Sequence, residues 1–238
     1  MKVKKFLSII ACLVLCLCVM TACGSSSSSG GASDSGNTSS ASSSSSSEDS
    51  SSSQSASTSA ENSVKQFSDD ELLSGKHHVE MVIKDHGTVT LELDADQAPI
   101  TVTNFVQLVE QGFYDGLTFH RIIPGEFVQG GDPNGNGTGT AGYNIKGEFS
   151  ANGVDNTLSH TRGAISMART SDYDGGSCQF FIMDADYTDF DGQYACFGYV
   201  TDGMDIIDDI CNNTTVQDQN GTVATDDQPV IESMTVID

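Results

Sequence analysis

The sequence predicts a mainly β domain, a barrel or a sandwich, carried behind an export signal and a flexible tether. Three observations support this. Short apolar runs recur from residue 79 to the C-terminus with Gly- and Asp-rich turns between them, the spacing of an all-β domain. Only two stretches carry helical periodicity. Ahead of them, from Gly24 to about Ser63, composition collapses to Ser, Gly, Ala and a few acids, which cannot bury enough apolar surface to offset the entropy of ordering.

Residues 1–23 join a basic start, Lys2, Lys4 and Lys5, to an apolar run that ends in small residues, the pattern of an export signal. The run of about 15 residues is shorter than the ~20 a spanning helix needs, so a retained anchor helix is the lesser alternative. Met20-Thr21-Ala22-Cys23-Gly24 resembles a bacterial lipobox, with Met20 in place of the usual Leu. The resemblance implies a lipidated Cys23 as the new N-terminus; ordinary secretory cleavage with Cys23 incidental is the alternative. Two acyl chains hold a protein stably on a membrane, where one binds marginally. The expected organisation is a lipoprotein signal peptide at 1–22, Cys23 and a disordered Ser-rich tether at 23–75, and a folded domain at 76–238. About 45 flexible residues reach roughly 35–40 Å, enough to hold the domain clear of a lipid surface.

Within the domain, Val89, Leu91 and Leu93 of GTVTLELD alternate as in a half-buried strand, and VEMVIK just before it is its expected hairpin partner. Val102, Phe105, Val106 and Val109 follow the i, i+3, i+4, i+7 helical pattern, with Gly112 where a C-cap belongs. FVQGG, AISMA, QFFIM, ACFGYV and PVIESMTVI read as further strands. Met204, Ile207 and Ile210 mark a second helix by spacing.

Ten Lys+Arg stand against 33 Asp+Glu, which excludes the clustered cations of a nucleic-acid footprint. Cys178, Cys196 and Cys211 remain after the signal and Cys23, an odd number without a CxxC pair; they read as free thiols, with one bridge possible. GTGTAG at 137–142 satisfies GxGxxG, but YNIKGEFS after it has no helical periodicity to present a helix N-terminus to a pyrophosphate. DADYTDFDG fails as a calcium loop, since placing Gly192 sixth puts Tyr187 first and Gly198 twelfth, where carboxylates are required. His120 with Asp132 and a serine makes no triad, because no element presents a nucleophile.

FHRIIPGEFVQGGDP (119–133), ISMARTSDYDGGSCQFFIMD (165–184) and FDGQYACFGYV (190–200) together resemble the cyclophilin-type peptidyl-prolyl cis-trans isomerases. The similarity runs from about Val79 to the C-terminus. It implies an eight-stranded closed antiparallel β-barrel capped by two α-helices, with the active site on its outer face. By motif position it implies Arg121 as the catalytic arginine and His120 as its neighbour in the site. It implies further substrate contacts from Gln129, from the strip Ala168, Arg169 and Thr170, and from Gln179. Phe127, Phe181 and Phe190 would wall the proline pocket, and Tyr194, at a position the family fills with His or Tyr, would be a further substrate contact. Glu126 departs from the family's aromatic residue, Asp189 from a frequent Trp that contacts cyclosporin, and Ser177-Cys178 from Gly-Ser. Cys178 thus places a thiol near the site, where oxidation could perturb it.

The implied activity is rotation about Xaa-Pro bonds without metal or cofactor, assisting the folding of exported proteins. Proline-containing polypeptides are the expected partners of a monomer held to the membrane by its lipid. It would face outward from a Gram-positive cell or line a periplasm. The alternative is a catalytically weak module that binds Pro-containing segments, for which Glu126 and Asp189 are the motive.

Overall fold

Alternation at the head of the domain builds its first hairpin. β1 (Lys76–Ile83) pairs antiparallel with β2 (Gly87–Asp94), Val79 opposite Leu91 and Met81 opposite Val89. Those four side chains and Leu93 are wholly buried. The computed structural model describes residues 63–238. The signal segment, Cys23 and the tether through residue 62 lie outside the described residues.

Helix α1 (Pro99–Glu110) begins with Pro at its first turn and has no side-chain cap of its own. A buried carboxylate from far along the chain replaces one: Glu148 accepts hydrogen bonds from the Ile100 N–H at 2.9 Å and the Thr101 N–H at 2.7 Å. The negative group thereby meets the positive end of the helix dipole. Gly112 lies just beyond the helix with φ +65° and donates to Val109, the left-handed exit a glycine permits. Phe105 carries the helix into the core, its ring centroid 5.1 Å from Tyr114, 5.6 Å from Phe180 and 5.2 Å from Phe197.

The remaining strands are β3 (Thr118–Ile123), β4 (Phe127–Asp132), β5 (Ala164–Arg169), β6 (Gly176–Met183), β7 (Ala195–Asp202) and β8 (Ile231–Val236), with α2 (Met204–Asn213) before the last. They form one eight-stranded antiparallel sheet in the order β3-β4-β6-β5-β7-β2-β1-β8. Its two ends meet through the bridge Thr118–Val230, with Phe119 N–H donating to Pro229 at 2.9 Å and Ile231 N–H to Leu117 at 2.8 Å. The curled, mainly β architecture with two helices is the expected one.

Strand β3 was not among the expected runs, and its burial explains why. Its register shifts between Thr118 and Phe119 and again between Phe119 and Arg121. Adjacent Phe119 and His120 are consequently both buried, and the alternation that marks a strand is lost. Beyond β3 a small polar hairpin, closed by the Val216–Val223 bridge, covers its outer edge: Ile122 N–H donates to Gly221 and Val223 N–H to His120. Gly221 has φ +81°, and a Cβ there would stand 2.2 Å from the Ile122 carbonyl oxygen, so only glycine allows this approach.

Among the described residues, Cys178, Cys196 and Cys211 are free and buried. Cys178 is wholly inaccessible and faces the core cluster. Burial pushes the Cys178 and Cys196 thiols up to about 12 and raises that of Cys211 as well, so little reactive thiolate forms. The expected redox sensitivity at Cys178 therefore gives way to an inert thiol. Iodoacetamide at pH 8 should leave all three untouched in the folded chain and modify all three in denaturant. Native labelling at Cys178 would contradict its enclosure.

Candidate active site

Two strands and two loops converge on Arg121. Its Nε donates to the Asn220 carbonyl at 2.8 Å and its Nη1 to Gln129 Oε1 at 3.2 Å, while Cζ lies 4.9 Å from the Phe127 ring centroid. Arg121 and Gln129 are cross-strand partners of the β3–β4 hairpin, which places their side chains on one face. Gln129 Nε2 donates to Gln179 Oε1 at 3.0 Å, and Gln179 Nε2 to the Gly139 carbonyl at 2.9 Å. A relay of side-chain amides thus holds the guanidinium from one side and a loop carbonyl holds it from the other.

Beside the arginine the outer face of the sheet carries an aromatic cluster separate from the main core. Phe127 and Phe181 are joined in it by Ala164, Met183 and Cys196, with Phe190 and Tyr194 packed against them. Ring centroids lie 5.4 Å apart for Phe127–Phe181, 5.9 Å for Phe181–Phe190 and 5.1 Å for Phe190–Tyr194. Edge and tilted contacts of this kind favour an ordered apolar wall. Phe127 supplies the ring that Glu126 does not. Glu126 is half-exposed, and Asp189 lies in solvent with its backbone carbonyl accepting from Gln193.

The strip Ala168–Thr170 runs from the end of β5 along this face. Ala168 packs on the aromatic cluster. Arg169 is pinned: Nε donates to Gln193 O at 2.9 Å, Nη1 to Thr170 O at 2.9 Å, and Cζ lies 4.8 Å from the Tyr194 ring centroid. Thr170 is exposed, its backbone N–H donating to Gly175. His120 differs from the rest in that it is buried, 5 % exposed, and neither ring nitrogen has a hydrogen-bond partner among the described residues. It lies beside Asp132 and the Gly137 loop, as little exposed as Phe127 and Phe181.

Sequence reasoning missed two supports. The Asn220 carbonyl comes from the polar hairpin, which carries no apolar signal. His160, fully buried, lies 5.9 Å from Phe181 and nearly parallel to it, with Nδ1 2.8 Å from Asp191 Oδ1 and Nε2 2.9 Å from Ser166 Oγ. Polar partners hold both of its ring nitrogens while its face packs on Phe181, which ties the aromatic cluster to Asp191 and Ser166.

Burial holds both His120 and His160 below the ordinary histidine range, against Asp132 in the first case and Asp191 in the second. Unfolded, both take up protons near pH 6.5; folded, they stay neutral to lower pH. Stability therefore falls on acidification, by up to ~1.4 kcal/mol per pH unit for each until its folded pKa is reached. Glu148, raised by burial, acts oppositely, since its contribution is lost as pH rises through its folded pKa. The ordinary imidazole value of 6.5 lies inside the interval from pH 5.5 to 7.5 and the ordinary carboxyl value of 4.5 below it, so the urea midpoint should be higher at pH 7.5 than at 5.5. The reverse order would contradict neutral buried imidazoles.

A curled antiparallel sheet thus carries an anchored guanidinium beside a cluster of aromatic rings on its outer face. The chain matches the model of the cyclophilin type peptidyl-prolyl cis-trans isomerase family over residues 78–236, and it belongs to that family. It is 42 % identical over 137 residues to peptidyl-prolyl cis-trans isomerase B of Bacillus subtilis, covering 58 % of this chain and 92 % of that one. It is 47 % identical over 116 residues to the peptidyl-prolyl cis-trans isomerase of Synechococcus elongatus, covering 49 % and 75 %. Among solved structures, a Cryptosporidium parvum cyclophilin type isomerase aligns with TM-score 0.61 at 27 % identity, over 68 % of this chain and 98 % of that one. The same protein crystallised in the presence of the dipeptide Ala-Pro aligns at 0.60 and 28 %, over 68 % and 99 %. This chain is accordingly a peptidyl-prolyl cis-trans isomerase of the cyclophilin type.

Proposed function

We propose that Arg121 is the catalytic residue and that Phe127, Phe181, Phe190 and Tyr194 hold the substrate proline, on exported polypeptides at the outer side of a cell membrane. The observation that carries the proposal is the guanidinium fixed between the Asn220 carbonyl and Gln129, 4.9 Å from the Phe127 ring of the aromatic cluster.

The chemistry follows from the amide. Resonance gives the Xaa-Pro C–N bond a rotational barrier of about 18–20 kcal/mol, and uncatalysed exchange takes tens to hundreds of seconds. At the twisted transition state conjugation is lost and the prolyl nitrogen becomes a pyramidal acceptor. A guanidinium N–H aimed at that nitrogen stabilises the twisted form more than either planar state, which is the condition for catalysis. Arginine suits the task because it stays charged and its donors are rigidly arrayed. The pocket grips the pyrrolidine ring while the acyl side turns. Acceleration by 10⁵ requires about 7 kcal/mol, within the reach of a preorganised donor combined with positioning.

Lipidation at Cys23 and an extracytoplasmic, membrane-anchored monomer complete the proposal, on the export signal and lipobox resemblance of residues 1–24. Mass spectrometry of the mature N-terminus from the native host tests this part. A diacylglyceryl-modified Cys23 is expected; an unmodified N-terminus, or an intact Met1, would contradict it. Exchange of a proline peptide by the purified chain tests the proposed site, with Phe127, Phe181 and Arg121 variants beside the parent.

A further inference from the structure

The expected domain boundary at 76 leaves residues 63–75 in the tether, yet they lie against the domain. Lys65 N–H donates to the Asn144 carbonyl at 2.7 Å and Asn144 N–H donates to the Ser63 carbonyl at 3.0 Å, a short parallel bridge around Val64. The Lys65 ammonium donates to Gln107 Oε1 of α1 at 3.0 Å and stands 4.5 Å from the Phe67 ring centroid and 4.8 Å from that of Tyr143. Phe67 and Leu73 pack on the main core, and Leu73 N–H donates to Thr103 Oγ1.

The segment so gripped is the end of the loop that frames the site. Residues 133–144 contain Gly135, Gly137, Gly139 and Gly142, a composition with high backbone entropy that order must overcome from outside. Asp132 anchors the near end, accepting from the Asn134, Asn136 and Gly137 N–H groups. At the far end Ser177 Oγ accepts from Ala141 N–H and donates to the Tyr143 carbonyl, and Tyr143 Oη donates to Asn104 Oδ1. Gln228 Nε2 donates to the Gly135 carbonyl, and the Ile145–Gly176 bridge fixes the chain beyond Asn144; the bridge at Asn144 and the ammonium over Tyr143 are the clamps that residues 63–67 add. Between the two ends lies the Gly139 carbonyl that accepts from Gln179.

We propose that residues 63–67 are a positioning strap for the isomerase site, clamping Tyr143 and Asn144 so that Gly139 orients Gln179 and, through Gln129, Arg121. The strap touches no substrate; it acts through the loop, and its effect on rate rests on the role assigned to Arg121. The functional unit on this reading begins near Ser63, upstream of the barrel's first strand. Membrane tether and active site are then joined by contacts, beyond simple covalent continuity.

The experiment uses the full chain. Lys65→Pro removes both the N–H that reaches Asn144 and the ammonium, while Lys65→Met keeps the N–H and the apolar stem. Lys65→Pro should lower kcat/KM about tenfold, well inside the ~10²-fold that a 1 Å misplacement can cost, and Lys65→Met should lower it less. In a Gln179→Ala background Lys65→Pro should cost less than about twofold, because coupled residues are not additive. A strap that only stabilised the fold would cost the same in both backgrounds. Amide hydrogen exchange at 141–144 should rise in Lys65→Pro while β6 stays protected. An unchanged rate, an equal loss in both backgrounds, or unchanged exchange at 141–144 would each overturn the strap. A parent chain without isomerase activity would instead count against the site assignment, leaving the exchange measurement to decide whether the clamp exists.

Discussion

Arg121→Ala is expected to lower kcat/KM for cis-trans exchange of a proline peptide by about 10²- to 10³-fold, the range for losing one preorganised donor at a developing charge or lone pair. The side chain is anchored at two points, Asn220 O and Gln129 Oε1, and half-exposed, so truncation leaves the hydrophobic core of the barrel untouched. Thermal stability should therefore change little, which separates this loss from unfolding. Arg121→Lys keeps the charge but not the planar fork that meets both anchors, and should recover only a minor part of the rate. A coupled or NMR-based exchange assay checks both variants. Equal rates for parent and Arg121→Ala would remove the arginine from the mechanism.

The second large effect is expected at Phe181. It is 4 % exposed and its ring meets Phe127, Phe190, Tyr194 and His160 at centroid distances of 5.4 to 5.9 Å. Phe181→Ala should cost about 3–5 kcal/mol in stability, a fall of roughly 10 °C in Tm for a domain of this size. It should also lower kcat/KM per folded molecule by about 10- to 10²-fold, because the contact with a pyrrolidine ring worth ~1.5–3 kcal/mol is lost. Phe180 next to it is the control. Its ring points to the opposite face, packed 5.6 Å from both Phe105 and Tyr114 in the main core. Phe180→Ala should lose comparable stability and keep its rate per folded molecule at a temperature where both variants are folded. Equal kinetic losses at the two positions would mean that the aromatic cluster on the outer face is not the proline pocket.

The pair Phe180 and Phe181 also shows what could be read in the sequence and what could not. Period-two alternation in VEMVIK and GTVTLELD and the helical spacing around Phe105 follow from local backbone geometry, and the structure has those elements. The strand that bears Arg121 escaped, because its register shifts bury neighbouring residues and break the alternation. Among the site residues, Arg121, Gln129 and Gln179 come together in one relay and Phe127, Phe181, Phe190 and Tyr194 in one cluster, while His120 is buried with both ring nitrogens unpartnered among the described residues. The supports of site and fold alike were illegible for a shared reason: each lies far off in the chain and is polar. Asn220 is 99 residues from Arg121, Glu148 is 47 from Thr101, and Asp191 is 31 from His160. A polar residue with no nearby apolar period gives no sign of which distant group it will satisfy. Lys65 is a further case, since its neighbours in sequence read as a solvated spacer and its partners, Gln107, Tyr143 and Asn144, belong to the domain.

Exchange spectroscopy on a proline peptide, with parent and Arg121→Ala enzyme at matched occupancy, tests most directly whether the guanidinium meets the prolyl nitrogen in the twisted state. Both proteins should bind the peptide with similar Kd, since the aromatic pocket is intact in each. Cis and trans signals should interconvert rapidly on the parent and at least about 10²-fold more slowly on the variant. Interconversion on Arg121→Ala at the parent rate, with binding unchanged, would contradict transition-state stabilisation by this side chain.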